Sequence, residues 1–265
     1  MQKDWLLAVG CSLTWGTEIS QPRSSVEADK DHAWPAHLGR LLDATTVVNR
    51  GWPGRSNGSI FRIAVQDMVK YATTNGKNGI VVIQWTGPSR LEMFNPYEID
   101  LVGFHMRSIA GLHPGSEGSY LNVTPSELGL LQNKNQAETL FKSNAIAEYF
   151  FNFWANDSYQ HELLFNNIVA LNGIATTLGI QILHFNGIDE LNYQLLPPHA
   201  SHLSTTIGKE FYNPTLRKHT FWATSYPVMS SIPDRSKIYQ LPPHPTAAHH
   251  ADWAKILYDY LIACN

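Results

Sequence analysis

The sequence predicts an α/β protein, a three-layer α/β/α sandwich built on a parallel sheet. Three observations point there. Short unbroken apolar runs, Trp5 to Val9 and Gly79-Ile-Val-Val-Ile-Gln-Trp85, suit parallel strands covered on both faces. Segments with apolar residues at helical spacing alternate with these runs along the chain. A chain of 265 residues that is 43% hydrophobic can bury a sizeable core, and one domain over residues 1–265 is expected.

The elements follow in order. The first strand stops at Gly10, and the loop after it carries Ser12. Beyond a charged stretch from Glu18 to Asp31, the residues Trp34, Leu38, Leu41 and Leu42 recur at helical spacing, and Thr45-Thr-Val-Val48 reads as the second strand. A loop rich in Gly, Pro, Ser and Asn (Asn49 to Gly58) leads into a helix with Ile60, Ile63, Ala64, Met68 and Tyr71 on one face. The strand at Gly79–Trp85 comes next. Residues from about 91 to 160 mix aromatics with Gly, Ser and Asn without a period, and read as an insertion. Leu164, Ile168, Leu171, Ala175 and Leu178 mark a helix stopped by Gly179, followed by a strand from Ile180 to Phe185. Lys237 to Gln240 is the best candidate for a fifth strand, and Ala247 to Ile262 forms a last helix with Ala254, Leu257 and Leu261 inward. In such sheets ligands bind beyond the carboxyl ends of the strands, so the loops after Val9, Val48 and Trp85 should share one edge.

Composition excludes several classes. Nineteen basic against 22 acidic side chains leave a formal net charge of −3, and no run of Lys and Arg is present to track a phosphate backbone, so nucleic acid is not an expected partner. Nowhere do 18 apolar residues run together, and Trp5 to Val9 is too short for a signal-peptide core. No membrane association and a cytoplasmic location are expected. Cys11 and Cys264 lie near opposite ends and make no disulfide framework. The histidines at 199, 202, 219, 244, 249 and 250 lack a ligand set with neighbouring Cys or acids, and no phosphate loop occurs, so no metal or cofactor is expected.

The chemistry-bearing residues lie in the loops of the shared edge. In Gly10-Cys-Ser-Leu-Thr-Trp-Gly16 a serine directly after a strand presents its hydroxyl at the sheet edge with its amide turned to face an anion, although a plain turn serine fits the same pattern. His244, just before the last helix, has an imidazole suited to accept the serine proton; a surface or capping histidine is its alternative. Cys11 is expected to point into the sheet as a small apolar residue. Gly54 lets the backbone approach a reacting carbonyl, or else forms an ordinary Pro-Gly turn. The side-chain amide of Asn57 is a further candidate donor.

Together these segments resemble the ordered blocks of the SGNH, or GDSL-like, hydrolase family. Gly10-Cys-Ser-Leu13 resembles the first block with Cys11 in place of the usual Asp. Asn49-Arg-Gly-Trp-Pro-Gly-Arg-Ser-Asn57 resembles the second, with Gly54 at the matching glycine. His244-Pro245, with His250 and Ala254 beyond, is similar to the HPxxxGHxxxA ending, His249 standing in place of the family's Gly. The resemblance implies a flavodoxin-like parallel sheet, Ser12 as nucleophile, His244 as base, and an oxyanion hole from Ser12, Gly54 and Asn57. It also implies that His250 packs or bonds at the start of the terminal helix, and that no metal or cofactor is needed.

Two departures from the family pattern stand out. The third block, GxND in the family, is replaced by Gln84-Trp-Thr-Gly-Pro-Ser-Arg90, which puts Pro88 where the oxyanion asparagine belongs. Arg90, Trp85 and Thr86 are then the candidate substrate-binding residues, with Ser89 nearby; Arg90 either holds a polarised oxygen or pairs with an acid of the insertion. The acid expected three residues before the base is Leu241. Either a backbone carbonyl orients His244 in a Ser-His dyad, or a carboxylate reaches in, with Asp234 and Glu18 the nearest guesses; the dyad is the favoured expectation. The function expected is a serine esterase acting on a small-molecule or glycan ester, with O-acetyl groups on carbohydrate favoured because many aromatics are available to stack on sugar rings. The same aromatics equally suit a packed core. A catalytically impaired glycan-binding or structural module, and an acyltransferase using Ser12, are the alternatives.

Overall fold

The structure is a computed structural model that describes residues 2–19, 29–87, 91–94, 113–114, 120–123, 157–188, 193–205, 207–212, 220–221, 225 and 244–264. Its centre is a four-stranded parallel sheet of β1 (Trp5–Gly10), β2 (Thr46–Gly51), β3 (Gly79–Trp85) and β7 (Gln181–Asn186), in the order β2-β1-β3-β7. Between β3 and β7 lie β4 (Leu91–Phe94), β5 (His113–Pro114) and β6 (Tyr120–Val123), which form a separate antiparallel sheet in the order β4-β6-β5. Part of the expected insertion thus has regular structure, and β4 lies against the helix of Asn57–Asn75.

Strand alternation sorts the core into two layers. From β1, Trp5, Leu7 and Val9 face one side, where α3 (Asn57–Asn75) and α4 (Asp157–Leu178) bring Ile60, Ile63, Met68, Phe165, Ile168 and Leu171. Leu6 and Ala8 face the other, where α2 (Trp34–Leu41) and α5 (Ala247–Cys264) bring Trp34, Leu38, Trp253, Ala254, Leu257 and Leu261. The three-layer α/β/α sandwich predicted from the sequence is the observed fold. The larger aliphatic and aromatic side chains among these each contribute about 2 kcal/mol relative to exposure, and those of the second layer clamp α5 onto α2.

Boundaries differ where apolar pattern is not the determinant. The second strand runs past Val48 to Gly51 because Asn49 and Arg50 pair with Ala8 and Val9; as an edge strand, β2 carries polar residues without losing its ladder. The helix α4 begins at Asp157, upstream of its first periodic leucine, and ends where Gly179 adopts φ 68°. The expected strand at Lys237 to Gln240 lies outside the described residues.

Candidate active site

All four strands of the main sheet are parallel, so Gly10, Gly51, Trp85 and Asn186 end at one edge. There β1 gives way to a single helical turn, α1 (Ser12–Trp15), with Cys11 as N-cap and Ser12 as its first residue. Gly16 closes the turn at φ 86° and donates its N–H to the Ser12 carbonyl at 3.1 Å. The end of β2 fastens the turn from beside it. Asn49 Nδ2 donates to the Thr14 carbonyl at 2.7 Å, while its Oδ1 accepts the Gly51 N–H at 2.9 Å. Gly51 needs its lack of Cβ here, since a Cβ would stand 2.7 Å from the carbonyl carbon of Thr14.

His244 reaches Ser12 from the far end of the chain. Its Nε2 lies 3.0 Å from Ser12 Oγ, and its Nδ1 lies 3.0 Å from Glu18 Oε2. The same Glu18 oxygen accepts the His244 backbone N–H at 3.3 Å. A carboxylate only accepts, so Nδ1 carries the ring proton and Nε2 is left to accept from the Ser12 hydroxyl. Ser12 is 8% exposed, whereas the His244 and Glu18 side chains are 27% and 21% exposed, which leaves the pair reachable from the edge.

This geometry corrects the expected dyad: His244 has a carboxylate partner, and it is Glu18. The acid lies just beyond the helical turn that carries the nucleophile. With Gly16 reversing the chain and Glu18 itself at φ 60°, the carboxylate is carried back towards the imidazole. Asp234, the other guess, lies outside the described residues, as does Arg90.

The end of the chain is built to hold His244 in place. Thr246 and His249 cap α5 reciprocally: Thr246 Oγ1 accepts the His249 N–H at 3.5 Å, and His249 Nδ1 accepts the Thr246 N–H at 3.3 Å. His250, fully buried, accepts the Trp34 N–H on Nδ1 at 3.0 Å, joining the first turn of α5 to that of α2. Burial lowers its pKa to about 3, with help from the neighbouring His37, His244 and His249. It is a neutral packing residue, in keeping with the part the sequence assigned it.

Gly54 sits in a turn over Trp52 to Arg55, where the Arg55 N–H reaches the Trp52 carbonyl at 3.4 Å and Gly54 takes φ 73°, a conformation that disfavours a side chain. Asn57 and Thr86 bond to each other. Asn57 Nδ2 donates to the Thr86 carbonyl at 3.1 Å and Asn57 Oδ1 accepts the Thr86 N–H at 2.9 Å, so one of the two amide hydrogens expected at the oxyanion hole ties α3 to the end of β3 instead. Trp85 is not placed to bind substrate. It is fully buried in the core, its ring stacked on His184 with centroids 5.8 Å apart, and its Nε1 donates to His184 Nδ1 at 3.3 Å. Thr86 is 2% exposed, which leaves it no open surface for substrate either. The unbroken apolar pattern of β3, rather than its place before the active edge, decides the fate of Trp85, and the paired bonds to Asn57 hold Thr86.

Cys11 is fully buried, with Sγ 3.9 Å from Ser12 Oγ. Sequence reading passed over Gln84, which is fully buried beneath the Ser12 turn and bonds to Cys11 and Thr14. The available signal was a carboxamide inside an otherwise apolar strand. Among the described residues no cluster of metal-ligating side chains occurs, and no helix is long and apolar enough to cross a membrane.

Residues 18–136 match the model of a family of unknown function (DUF6071), a span that begins at Glu18 and contains neither Ser12 nor His244. No curated protein sequence matches the chain. Among solved structures, the chain is similar to that of TesA, at 16% identity and a TM-score of 0.43, over 97% of each chain. It is also similar to the psychrotrophic esterase EstA from Pseudoalteromonas sp., in a structure inhibited by monoethylphosphonate, at 11% identity and a TM-score of 0.42, over 98% of this chain and 97% of that one. By its own sheet order the chain is a parallel α/β/α sandwich, and Ser12 and His244 converge at the carboxyl edge of its sheet, where such folds place their ligands.

Proposed function

We propose that this chain is a serine esterase in which Ser12, His244 and Glu18 form a catalytic triad. The observation that carries the reading is the continuous relay from Ser12 Oγ through both ring nitrogens of His244 to Glu18, with each step at 3.0 Å. His244 Nε2 takes the hydroxyl proton as Ser12 Oγ attacks the ester carbonyl. Glu18 stabilises the imidazolium, and the amides of Ser12 and Gly54 donate to the oxyanion. Collapse of the tetrahedral species breaks the bond to the alcohol, which leaves with the proton from Nε2, and water then releases the acyl group through the same base. A paired acid, base and nucleophile favours an active enzyme over an impaired binding module.

For the substrate we infer an O-acetylated carbohydrate. Trp15, on the Ser12 turn, and Trp52, whose backbone N–H donates to the Gly10 carbonyl at 3.1 Å, support this as half-buried rings packed edge to face with centroids 4.9 Å apart.

The test is Ser12→Ala with p-nitrophenyl acetate and an acetylated glycan as substrates. The variant should keep its fold and lose release of p-nitrophenol and acetate, and a fluorophosphonate should label wild-type Ser12. Unchanged turnover in Ser12→Ala, or labelling mapped to another residue, would remove the assignment. Capture of the acetyl group by an added alcohol in preference to water would mark a transferase.

A further inference from the structure

We propose that Gln84 is a positioning residue for the Ser12 nucleophile, an inference that rests on the esterase reading. Gln84 reaches the turn from β3 with no exposed surface of its own. Its Oε1 accepts the Cys11 N–H at 3.1 Å and the Thr14 hydroxyl at 2.8 Å. Its Nε2 donates to the Trp85 carbonyl at 3.0 Å and to Cys11 Sγ at 3.2 Å.

A four-residue helical turn does not hold itself in one geometry, because fixing its dihedrals costs more than its few hydrogen bonds return. Side-chain oxygens of Ser, Thr, Asp or Asn usually steady such a start, and Cys11 at the N-cap makes no side-chain capping bond. Gln84 supplies the missing acceptor from the neighbouring strand. The Thr14 and Trp15 amides bond to the Cys11 carbonyl at 3.1 and 3.0 Å, and Gln84 takes the Cys11 amide. This leaves the Ser12 amide, among the described residues, without a protein acceptor, as an oxyanion donor requires. Rotation of the turn would also move Ser12 Oγ off His244 Nε2.

The site suits a carboxamide and little else. One end must accept and the other must donate: a glutamate would set a second acceptor against the Trp85 carbonyl, and an aliphatic side chain would leave the buried Cys11 N–H and Thr14 hydroxyl unmatched. Two glycines make the room. A Cβ on Gly10 would stand 2.6 Å from Gln84 Oε1, and one on Gly187 would stand 2.6 Å from Gln84 Cδ. The ends of β1, β3 and β7 are therefore shaped around this one side chain.

Gln84→Met keeps the length and removes the hydrogen bonds. In the folded variant, shown by circular dichroism and cooperative unfolding, kcat on p-nitrophenyl acetate should fall about tenfold or more with KM unchanged. The rate of fluorophosphonate labelling at Ser12 should fall by the same factor. Hydrogen exchange at the Cys11 amide should rise about tenfold or more while the amides of Leu7 and Val81 stay protected. Wild-type kcat and labelling in a folded Gln84→Met protein would overturn the proposal. If that variant does not fold, Thr14→Val removes one of the bonds with little change of shape; it should lower kcat and labelling at constant KM, and no change in either would overturn the proposal. Should wild-type Ser12 not label, the esterase reading fails by itself. The exchange measurement then still decides, since an unchanged Cys11 amide in Gln84→Met would show that Gln84 does not hold the turn.

Discussion

Glu18 holds a backbone angle of φ 60° without being glycine, a conformation that costs a side-chain-bearing residue about 1–2 kcal/mol. What sustains it is the pair of N–H groups from His244 that converge on one carboxylate oxygen. That oxygen fixes the imidazole and the chain that carries it at once. Glu18→Gln should therefore lower kcat by about 10²- to 10⁴-fold, since an amide that turns its NH₂ towards Nδ1 selects the wrong tautomer. Steady-state kinetics on p-nitrophenyl acetate check this, with Asp234→Asn as the control expected to behave like wild type. A Glu18→Gln enzyme with wild-type kcat would show that the acid does no work in the reaction. Ser12 and His244 were legible in the sequence because each stands in a short motif with defined spacing. Glu18 was legible only as a guess, because its role depends on a left-handed residue after a glycine, which no local pattern announces.

At the scale of elements, apolar periodicity located what it physically governs. It marked β1, β3 and the helices, whose positions are set by burial, and it stopped short in β2, whose last residues are held by the ladder to β1. It also carried Trp85 into the core, where a reading by position alone made it a substrate contact. Within α4, Gly173 shows the opposite case, a residue that neither packing nor backbone conformation requires. It is exposed, and nothing stands within 4 Å of where its Cβ would lie. Gly173→Ala should stabilise the protein by about 0.5–1 kcal/mol, by reducing the freedom of the unfolded chain, and leave the rate on p-nitrophenyl acetate as in the wild type. Urea unfolding with fluorescence measures this, and a lower midpoint in the variant would contradict it.

For the molecule as a whole, two buried histidines contribute to how stability responds to acid. Burial lowers the pKa of His184 to about 3, as it does that of His250. His184 accepts from Trp85 on Nδ1, meets Asn172 Oδ1 through Nε2 at 2.9 Å and lies between the rings of Trp85 and Phe211. Below the ordinary histidine value of about 6.5, the unfolded chain gains a proton at each site that the folded chain refuses until about pH 3. Stability is thus whole above that ordinary value and is lost as pH falls between the two, at about 1.4 kcal/mol per histidine per pH unit. His184→Gln should be less stable at neutral pH, yet its Tm should fall less steeply between neutral pH and about pH 4; an unaltered slope would count against this account. The separation between Ser12 and His244, 232 residues along the chain, has a further consequence. On the proposed reading, the nucleophile and its acid are synthesised close together, and the base follows only after all four strands of the main sheet. A nascent chain interrupted between Ser12 and residue 244 would then carry a serine with no base to activate it, so the proposed chemistry would arrive only with the segment that leads into α5.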